Sequence, residues 1–462
     1  MRLARGPPGQ MLLVRSTAKT LRLSAATVAC AAAALAGQAT LAPSAESAKL
    51  RSKLPLVMVR TAGAVPNEPK AAARLRVIDR PGPGANRGSD RGNVYAGAAG
   101  IETRGHSSQL FPKKQYGLEL RDRRGGGRDV ALLGMPADDD WVLSASYSDK
   151  TLMRNAVAYG IARTVFGRYA PQTRYVELVL NGSYRGVYVL TQKVELGAGR
   201  VEPGDGWLLE LTFGYQAQGE RHFRSPRTGR PLLYTDPDDP GRRRARAIRR
   251  DVLRFERALY GRRFRHPERG WRARLESAAA IDYVLLQELT GNPDGFHGST
   301  YFHRSPGGRV VLGPIWDLDI AMGNPTVDRF RTPRGWHLGG RPYLERLYRD
   351  RGFIRGMAAR WRELRSAGLH RRVRAAIRTH ARTLRGPQAR NFRRWPILGR
   401  YVWPNPVDTR TGRYRPTWRA EVAYLTRWLD ARIAWMNRAL PARAAARPGR
   451  PARRPGPQII SR

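Results

Sequence analysis

The sequence predicts an α+β fold in which a β-rich first half is followed by a mainly helical second half. Segments within residues 53–211 alternate or cluster β-branched and aromatic side chains, whereas apolar residues recur at helical spacing after residue 248. A charged stretch with four prolines, residues 216–250, separates the two patterns and is expected to cross between them as a loop. We therefore expect a β-rich N-terminal lobe over residues 50–215 and a mainly helical C-terminal lobe over residues 216–440.

Four strands and one helix are predicted in the first half. The Asn181-Gly182 pair predicts a tight hairpin turn between the last two strands. Ser148 and Asp149 are good N-cap residues for a helix over residues 150–166. The predicted strands cover residues 55–59, 115–120, 174–180 and 185–192.

Helical periodicity dominates the second half of the chain. The tail over residues 441–462 is rich in Ala, Pro and Arg and is expected to be disordered. The predicted helices cover residues 248–260, 275–290 and 343–365, followed by two more that end at Arg438.

The composition describes a strongly basic globular protein. Of 462 residues, 41% are hydrophobic and 11 are Trp, which excludes a largely disordered chain. The net charge of +47 predicts non-specific attraction to polyanions such as nucleic acid, anionic lipid or a phosphate-rich cell wall. The excess is almost all arginine in a chain rich in Ala, Gly and Pro, which indicates codon bias. No nucleic-acid-binding motif is found, so no specific nucleic acid partner is expected.

The N-terminal residues 1–45 have the pattern of a signal peptide. Arg15, Lys19 and Arg22 precede an uncharged, alanine-rich stretch over residues 23–42 that ends in small residues. The alternative is a merely disordered leader. No other run approaches the ~20 apolar residues of a membrane span, so we expect a mature chain that is secreted or held at the cell surface, without a transmembrane span.

The segment from Val311 to Asn324 reads V-L-G-P-I-W-D-L-D-I-A-M-G-N and places Asp317 and Asp319 inside an otherwise apolar stretch. An ionised carboxylate away from water is costly unless a cation or hydrogen bonds compensate. Period-two spacing sends both side chains to one face of an extended segment. The pair therefore predicts a site for a divalent ion shared with substrate phosphates. The alternative is that Asp317 caps the element after Trp316 and that Asp319 pairs with an arginine.

Two cationic segments are candidates for binding phosphate. Arg104 and Gly105 begin a loop with small hydroxyl residues, and Lys113 and Lys114 follow it. Backbone N–H groups and paired lysines suit an anion, although an ordinary turn before a strand has the same pattern. Further on, Lys150 and Arg154 stand four residues apart near a predicted helix N-terminus, where anions bind well. A solvated cationic face is the alternative there.

A third acid, Asp294, lies in the loop N-P-D-G-F-H-G-S that follows the predicted helix ending at residue 290. An acid on such a loop, about twenty residues before the paired aspartates, could orient an acceptor hydroxyl as a general base. His297 in the same loop more often serves as a loop hydrogen-bonding residue, so it is not included in the predicted site.

Seven motifs in unbroken order resemble the spore-coat protein H (CotH) kinase family. Any one of them is modest, but the set is specific, and it covers residues 53–440. The motifs are R-G-H-S-S…P-K-K-Q-Y, D-W-V-L…Y-S-D-K-T-L-M-R-N, N-G-S-Y-R-G-V-Y-V-L-T-Q-K-V-E, G-W-L-L-E-L, Q-E-L-T-G-N-P-D…S-T-Y-F, G-P-I-W-D-L-D-I-A-M-G-N and R-R-W-P.

The resemblance implies an atypical protein-kinase-like fold of two lobes that binds ATP and Mg²⁺ (or Mn²⁺) and phosphorylates proteins. Asp294 matches the acid of the family's N-x-D loop, and Asp317 matches the metal-binding acid of W-D-x-D; Asp319 is predicted as a second metal ligand. Family members commonly carry an acid where Gln192 stands and Asn where Ser107 stands. The Gln192 change puts an ion pair or second metal contact in doubt, for which Glu195 is an alternative. The predicted cofactor-binding residues are Arg104, Lys113, Lys114, Lys150, Arg154 and Lys193.

Two functional hypotheses follow. The first is an exported, Mg²⁺-dependent kinase that transfers phosphate from ATP to a protein substrate. The second is a non-catalytic cell-surface or cell-wall protein of the same fold that binds polyanions. Nucleotide-dependent thermal stabilisation separates them, since a pure polyanion binder should show none.

Overall fold

The computed structural model describes residues 48–80, 82, 85–202 and 204–446. The predicted signal peptide and residues 447–462 of the predicted tail lie outside the described residues. Residues 441–445 continue the last helix. None of the helices in the described ranges is both long enough and apolar enough to span a membrane.

The first half of the described chain forms a closed barrel of seven strands. Neighbouring strands pair antiparallel in the order β2-β3-β5-β6-β7-β9-β8, and a parallel pairing of β2 with β8 closes the ring. A small ladder of β1 and β4 lies apart from it. The strands are β1 (Arg51–Ser52), β2 (Leu56–Thr61), β3 (Ala71–Ile78), β4 (Asn86–Arg87), β5 (Tyr95–Arg104), β6 (Gln115–Arg121), β7 (Asp140–Ser144), β8 (Thr173–Leu180) and β9 (Ser183–Gln192).

Alternating apolar residues fill the barrel because successive strand side chains point to opposite faces. Val57 and Val59 of β2, for example, are buried in the interior cluster together with Leu118 and Leu120 of β6. The four predicted strands are present. The hairpin turn between β8 and β9 is confirmed, with Asn181 at φ 51° and Gly182 at φ 77°.

A second sheet of five strands begins at the end of the predicted β-rich half and continues into the half that was predicted to be mainly helical. Its order is β11-β12-β10-β13-β14. The expected crossing over residues 216–250 is therefore wrong, because its prolines mark strand ends: Pro226 lies in a turn and Pro231 begins β12. The strands are β10 (Trp207–Leu211), β11 (His222–Arg224), β12 (Pro231–Asp236), β13 (Thr300–Arg304) and β14 (Val311–Leu312).

Nine α-helices complete the described part of the chain. The predicted helix over residues 150–166 begins later, at Arg154, because Leu152 adopts a left-handed conformation with φ 64°. The helices are α1 (Arg154–Thr164), α2 (Arg242–Tyr260), α3 (Ser277–Thr290), α4 (Asp328–Arg331), α5 (Leu344–Leu347), α6 (Arg351–Ser366), α7 (Leu369–Leu384), α8 (Pro387–Arg394) and α9 (Trp418–Ala445).

Helix α3 is the centre of the helical part and is buried nearly all round, packed between α6, α9 and β14. Glu288 of α3 and Arg432 of α9 are both fully buried and form an ion pair at 2.8 Å. A buried pair of this kind is costly to break from one side. Gly291 ends the helix with φ 56°, and a Cβ there would lie 2.6 Å from His337. The loop that follows α3 therefore leaves from a fixed point.

Helix α8 attaches the helical part to the barrel. Arg390 of α8 donates to the fully buried Glu177 of β8, at 2.6 Å for its Nη2. Trp395, just after the helix, donates from its indole nitrogen to the carbonyl oxygen of Arg185. Both contacts join segments more than 200 residues apart, so barrel and helices form a continuous structure.

The mixture of helices and sheets confirms the predicted α+β class. The N-terminal strands, however, form a closed barrel and not the kinase-like lobe that was expected, because β8 pairs with the early strand β2 and closes the ring. The kinase-like two-lobed arrangement stays a prediction.

Candidate active site

The three predicted acids, Asp294, Asp317 and Asp319, come together in the structure. The side chains of Asp317 and Asp319 lie close enough to influence each other directly, and all three residues are partly exposed. Burial and the charge of Asp319 raise the pKa of Asp294 to about 6, and burial and the charge of Asp294 raise the pKa of Asp317 to about 6. For Asp319, burial and the charge of Asp317 raise the pKa well above its ordinary value. The negative charge of the three carboxylates is therefore not fully compensated by positive charge nearby.

A fourth acid, Glu210 on β10, lies near the cluster and was not predicted. Burial raises its pKa to about 7, its side chain is hydrogen-bonded to Tyr301, and its charge contributes to the raised pKa of Asp317. The signal for Glu210 was present in the sequence, because W-L-L-E-L places an acid inside an apolar strand just as the Asp317 segment does.

Strained backbone is concentrated in the segments that form this site. Of the nine described residues other than glycine with positive φ, six lie in these segments, although such conformations are disfavoured for side chains with a Cβ. Asp317 itself has φ 59°, so its segment is not a regular strand. The other five are Ser146, Leu152, Phe296, Ser299 and Met322.

Helix α1 holds the segment that carries the paired acids. Asn155 accepts the backbone N–H of Leu318 at 2.6 Å, and the hydroxyl of Tyr159 accepts that of Asp317 at 3.2 Å. Asn155 and Tyr159 are four residues apart and so share one helix face. Arg154 donates from Nε to the carbonyl oxygen of Ala321 at 3.1 Å. These contacts position the acids through the backbone and do not involve their carboxylates.

Polar side chains fix the second acid of the pair. The hydroxyl of Ser148 donates to Asp319 at 3.2 Å. Asn324 donates to the carbonyl oxygens of Asp319 and Ser148, and Asn405 donates to the carbonyl oxygen of Ser148 and to Asn324. Asn324 therefore serves to hold the Asp319 turn.

The loop after α3 presents Asp294 beside an arginine that was not predicted. Arg341 donates from Nη2 to the carbonyl oxygen of Pro293 at 2.7 Å, and its charge partly offsets the raised pKa of Asp294. The Nε of Arg341 is buried without a hydrogen-bond partner in the described structure. No sequence signal marks Arg341, since one arginine among so many carries little information.

Arg104 is the predicted cation that the structure places beside the acids. Its positive charge partly offsets the rise in the pKa of Asp317 and of Glu210. The guanidinium lies 5.6 Å from the ring of Trp316, which stacks on Tyr159 at 6.0 Å. Because no carboxylate of the described chain pairs with it within salt-bridge distance, Arg104 can accept an anionic ligand.

Lys113 is not brought to the acids. It is 2% exposed, donates from Nζ to the carbonyl oxygen of Val187 at 2.6 Å and to Asn391 of α8 at 3.0 Å, and lies over the Tyr188 ring. Burial lowers its pKa to about 7. A compact ammonium was expected at a phosphate, but here it bridges the barrel and α8.

If Lys113 serves the fold, Lys113→Met should destabilise the protein by about 1–3 kcal/mol, because two buried acceptors lose a donor. The KM for ATP should stay unchanged. Urea unfolding and steady-state kinetics check both expectations, with Lys114→Met as the neighbouring control. If stability is unchanged and the KM for ATP is raised, Lys113 contacts phosphate and does not serve the fold.

The same substitution should change the pH dependence of stability. The folded-state pKa of Lys113 is about 7, below the ordinary value of 10.5, so between these values the unfolded chain binds more protons than the folded chain. The free energy of unfolding of the parent protein should therefore increase as the pH rises from about 7 to 10.5, and decrease as the pH falls through the same range. The stability difference between parent and Lys113→Met, measured at pH 7 and pH 9, should grow with pH.

The other predicted cations also have partners within the protein. Lys150 donates to the carbonyl oxygen of Arg400 at 2.5 Å, and burial lowers its pKa to about 8. Arg154 is fully buried and paired with Asp149 at 2.5 Å. Lys114 donates to the carbonyl oxygen of Gln109. The solvated cationic face that was the alternative for Lys150 and Arg154 is wrong, because both residues are buried.

Lys193 belongs to a separate ionic network at the barrel. It pairs with Asp140 at 2.6 Å and Glu195 at 3.4 Å; burial lowers its pKa, but these two charges outweigh burial and raise it overall. Glu195 also pairs with Arg200. Gln192, where the family commonly has an acid, is fully buried and exchanges hydrogen bonds with backbone groups of Gln172 and Gly199.

The structural alternative for the paired acids fails. Neither Asp317 nor Asp319 forms an ion pair with any lysine or arginine within the described ranges, and Asp317 caps no helix there. The donor set consists of carboxylate oxygens that repel one another, which fits a hard divalent cation such as Mg²⁺ or Mn²⁺.

A family model described as CotH kinase protein matches residues 101–436 of the chain. No curated protein matches the chain. The matched range contains every predicted site residue and the whole acid cluster. Since it covers more than half of the 462 residues, the chain belongs to the CotH kinase family.

Proposed function

We propose that this protein is an exported, Mg²⁺- or Mn²⁺-dependent protein kinase that transfers phosphate from ATP to a protein hydroxyl. The observation that carries the proposal is the convergence of Asp294, Asp317 and Asp319 in one partly exposed cluster with uncompensated negative charge. A protein of purely structural function gains nothing from such a cluster, which is costly in the absence of a cation.

Asp317 and Asp319 would hold the metal ion, and Arg104 and Arg341 would contact the phosphates. The bound ion would neutralise negative charge that develops on the phosphates during transfer. Arg104 suits its role because its guanidinium has no carboxylate partner, and Arg341 suits its role because its buried Nε has no acceptor among the described residues. Positioning and charge neutralisation supply most of the catalysis in phosphoryl transfer.

Asp294 would act as the general base. With a pKa of about 6 it is mostly ionised at neutral pH yet basic enough to accept a proton. The acceptor oxygen forms a bond to the γ-phosphorus, the bond from that phosphorus to the β–γ bridging oxygen breaks, and ADP leaves with the electron pair. The proton of the acceptor hydroxyl moves to Asp294.

A two-lobed arrangement is part of this proposal. Ser148, Arg104 and helix α1 come from the part of the chain that builds the barrel, whereas the acids come from the sheet and helical part. A cleft between the two parts is the position expected of a nucleotide site in a kinase-like protein. Export to the medium or the cell surface rests on the leader pattern alone.

The direct test is incubation of the mature chain with labelled ATP and Mg²⁺ or Mn²⁺, with protein from the same culture as acceptor. Metal-dependent incorporation of phosphate and a rise in melting temperature with Mg-ATP support the kinase. Absence of both results contradicts it.

Arg104→Met should raise the KM for ATP by about tenfold or more, because a charge-assisted contact to phosphate is lost. The melting temperature without nucleotide should change little, since the guanidinium makes no ion pair there. Titration of ATP against initial rate checks this. Lys114→Met is a matched control because it removes a cation outside the acid cluster, and an equal effect in both variants contradicts the assignment.

A polyanion-binding protein is the second candidate, and one feature of α2 favours it. All eight arginines of that helix are exposed on its outer face, and such a surface attracts teichoic or nucleic polyanions. For a protein of this kind, Mg-ATP should leave the melting temperature unchanged.

A further inference from the structure

A row of aromatic side chains leads from the protein surface to Asp294. Tyr215 is 59% exposed and stacks on Phe213 at 5.6 Å with an interplanar angle of 20°. Phe213 contacts the His297 ring edge-on at 4.5 Å. His297 in turn donates from its backbone N–H to the carbonyl oxygen of Asp294 at 2.8 Å. The exposed Tyr215 ring is therefore part of the approach to the proposed general base.

Arginines of the β11–β12 hairpin lie against this row. The guanidinium of Arg230 lies 5.6 Å from the Phe213 ring and forms no hydrogen bond or ion pair in the described structure. Arg224 reaches to within 3.7 Å of where a Cβ on Gly214 would lie, next to Tyr215. Its one hydrogen bond is to the carbonyl oxygen of Gly229. Neither arginine is neutralised by a carboxylate of the described chain.

The hairpin that carries these arginines is fixed in place. The hydroxyl of Ser225 donates to the buried Glu256 of α2 at 2.5 Å and accepts the backbone N–H groups of Arg227 and Thr228. Arg224 and Arg230 flank this turn: Arg224 pairs with Pro231 in the β11–β12 ladder, and the carbonyl oxygen of Arg230 accepts the backbone N–H of Ser225. Two positive charges are therefore presented from a rigid support, which lowers the entropic cost of binding.

The charge around the approach is mainly positive. Both Arg341 and Arg230 add positive potential at the His297 ring. The neighbouring acid outside the metal-binding cluster is Glu220, which is exposed and acts on His106. A ligand that lies along Tyr215 towards Asp294 thus meets guanidinium groups on the hairpin side.

We propose that Tyr215, Arg224 and Arg230 bind the acceptor polypeptide and select a serine or threonine flanked by aspartate or glutamate. This inference rests on the proposed kinase activity and names its substrate class. Guanidinium groups form charge-assisted, often bidentate hydrogen bonds with carboxylates, whereas lysine or arginine beside the acceptor would be repelled. The exposed tyrosine ring supports the peptide backbone between these contacts.

The test compares three peptides of equal length that share one serine and differ in its flanks: Asp/Glu, Ala/Gly, or Lys. We expect kcat/KM to be about tenfold higher for the acidic peptide than for the neutral one, mainly through KM, and to decrease with added salt. In the double variant Arg224→Gln/Arg230→Gln this preference should fall to near unity, mainly through a raised KM for the acidic peptide.

The matched control is Arg371→Gln/Arg378→Gln on α7, which removes the same charge from exposed positions elsewhere and should keep the preference. Transfer that favours the lysine-flanked peptide, or a preference that survives in the hairpin variant, overturns this inference but leaves the kinase standing. Transfer to none of the peptides and no protein acceptor, without a thermal shift by Mg-ATP, overturns both.

Discussion

Asp294→Asn should lower phosphoryl transfer by about 10²- to 10⁴-fold, the usual contribution of a general base, while Mg-ATP binding stays largely intact. The substitution keeps the size of the side chain and removes its ability to accept the hydroxyl proton. Since burial and the charge of Asp319 raise the pKa of Asp294, removing the carboxylate also relieves repulsion. The fold should therefore be at least as stable as that of the parent.

The measurements for Asp294→Asn are phosphate incorporation at saturating ATP and the melting temperature with and without Mg-ATP. Asp328→Asn is the matched control, because it replaces the same residue type at an exposed position on α4, outside the cluster. A variant that transfers phosphate at the parental rate excludes Asp294 as the base.

Asp317→Asn should abolish metal-dependent nucleotide binding and lower transfer by about a thousandfold or more, since metal coordination contributes several kcal/mol to charge stabilisation. The change keeps a neutral oxygen but removes the charge that binds the ion. The backbone contact to Tyr159 does not involve the side chain, and Asn tolerates the left-handed φ of 59° well. The fold should be at least as stable as that of the parent, because removal of the carboxylate relieves its repulsion with Asp294.

The Asp317→Asn experiment measures the melting temperature with Mg²⁺ alone, with Mg-ATP and with neither. Asp328→Asn, at an exposed acid on α4, is the control. If Asp317→Asn melts several degrees lower yet keeps its Mg-ATP shift and its activity, the carboxylate serves the fold and the metal site lies elsewhere.

The acids of the site were readable from the sequence because their signal is local. A carboxylate inside an apolar segment is conspicuous at Asp317 and Asp319, and equally at Glu210, where the same signal was overlooked. Asp294 was marked by a Gly/Pro loop at a helix end. Arg341 could not be found in this way, because its place beside Asp294 depends on the packing of distant helices.

The cations were harder to predict because the argument rested on residue type. A lysine retained among arginines does mark a position that needs a compact ammonium, but Lys113 uses it for buried backbone and amide acceptors. Lys150 and Arg154 do not share a helix face as predicted, because the helix begins only at Arg154.

The strands were predictable from alternation, but their closure was not. Pairing of β2 with β8 joins residues more than 110 positions apart, and no local pattern carries that information. The second sheet was not predicted because proline is typical of loops, whereas here prolines lie at the ends of short strands.

The attachment of α8 to the barrel has a consequence for the order of folding. Asn391 accepts both the buried Lys113 and the backbone N–H of Val187, which precedes it by 204 residues, and Arg390 neutralises Glu177 across 213 residues. During synthesis, the ribosome therefore completes every barrel strand long before it adds Arg390 and Asn391, the residues that hydrogen-bond with these buried groups of the barrel. Closing contacts of such long range slows folding, so the nascent barrel must wait for the C-terminal third of the chain before its buried charges are paired.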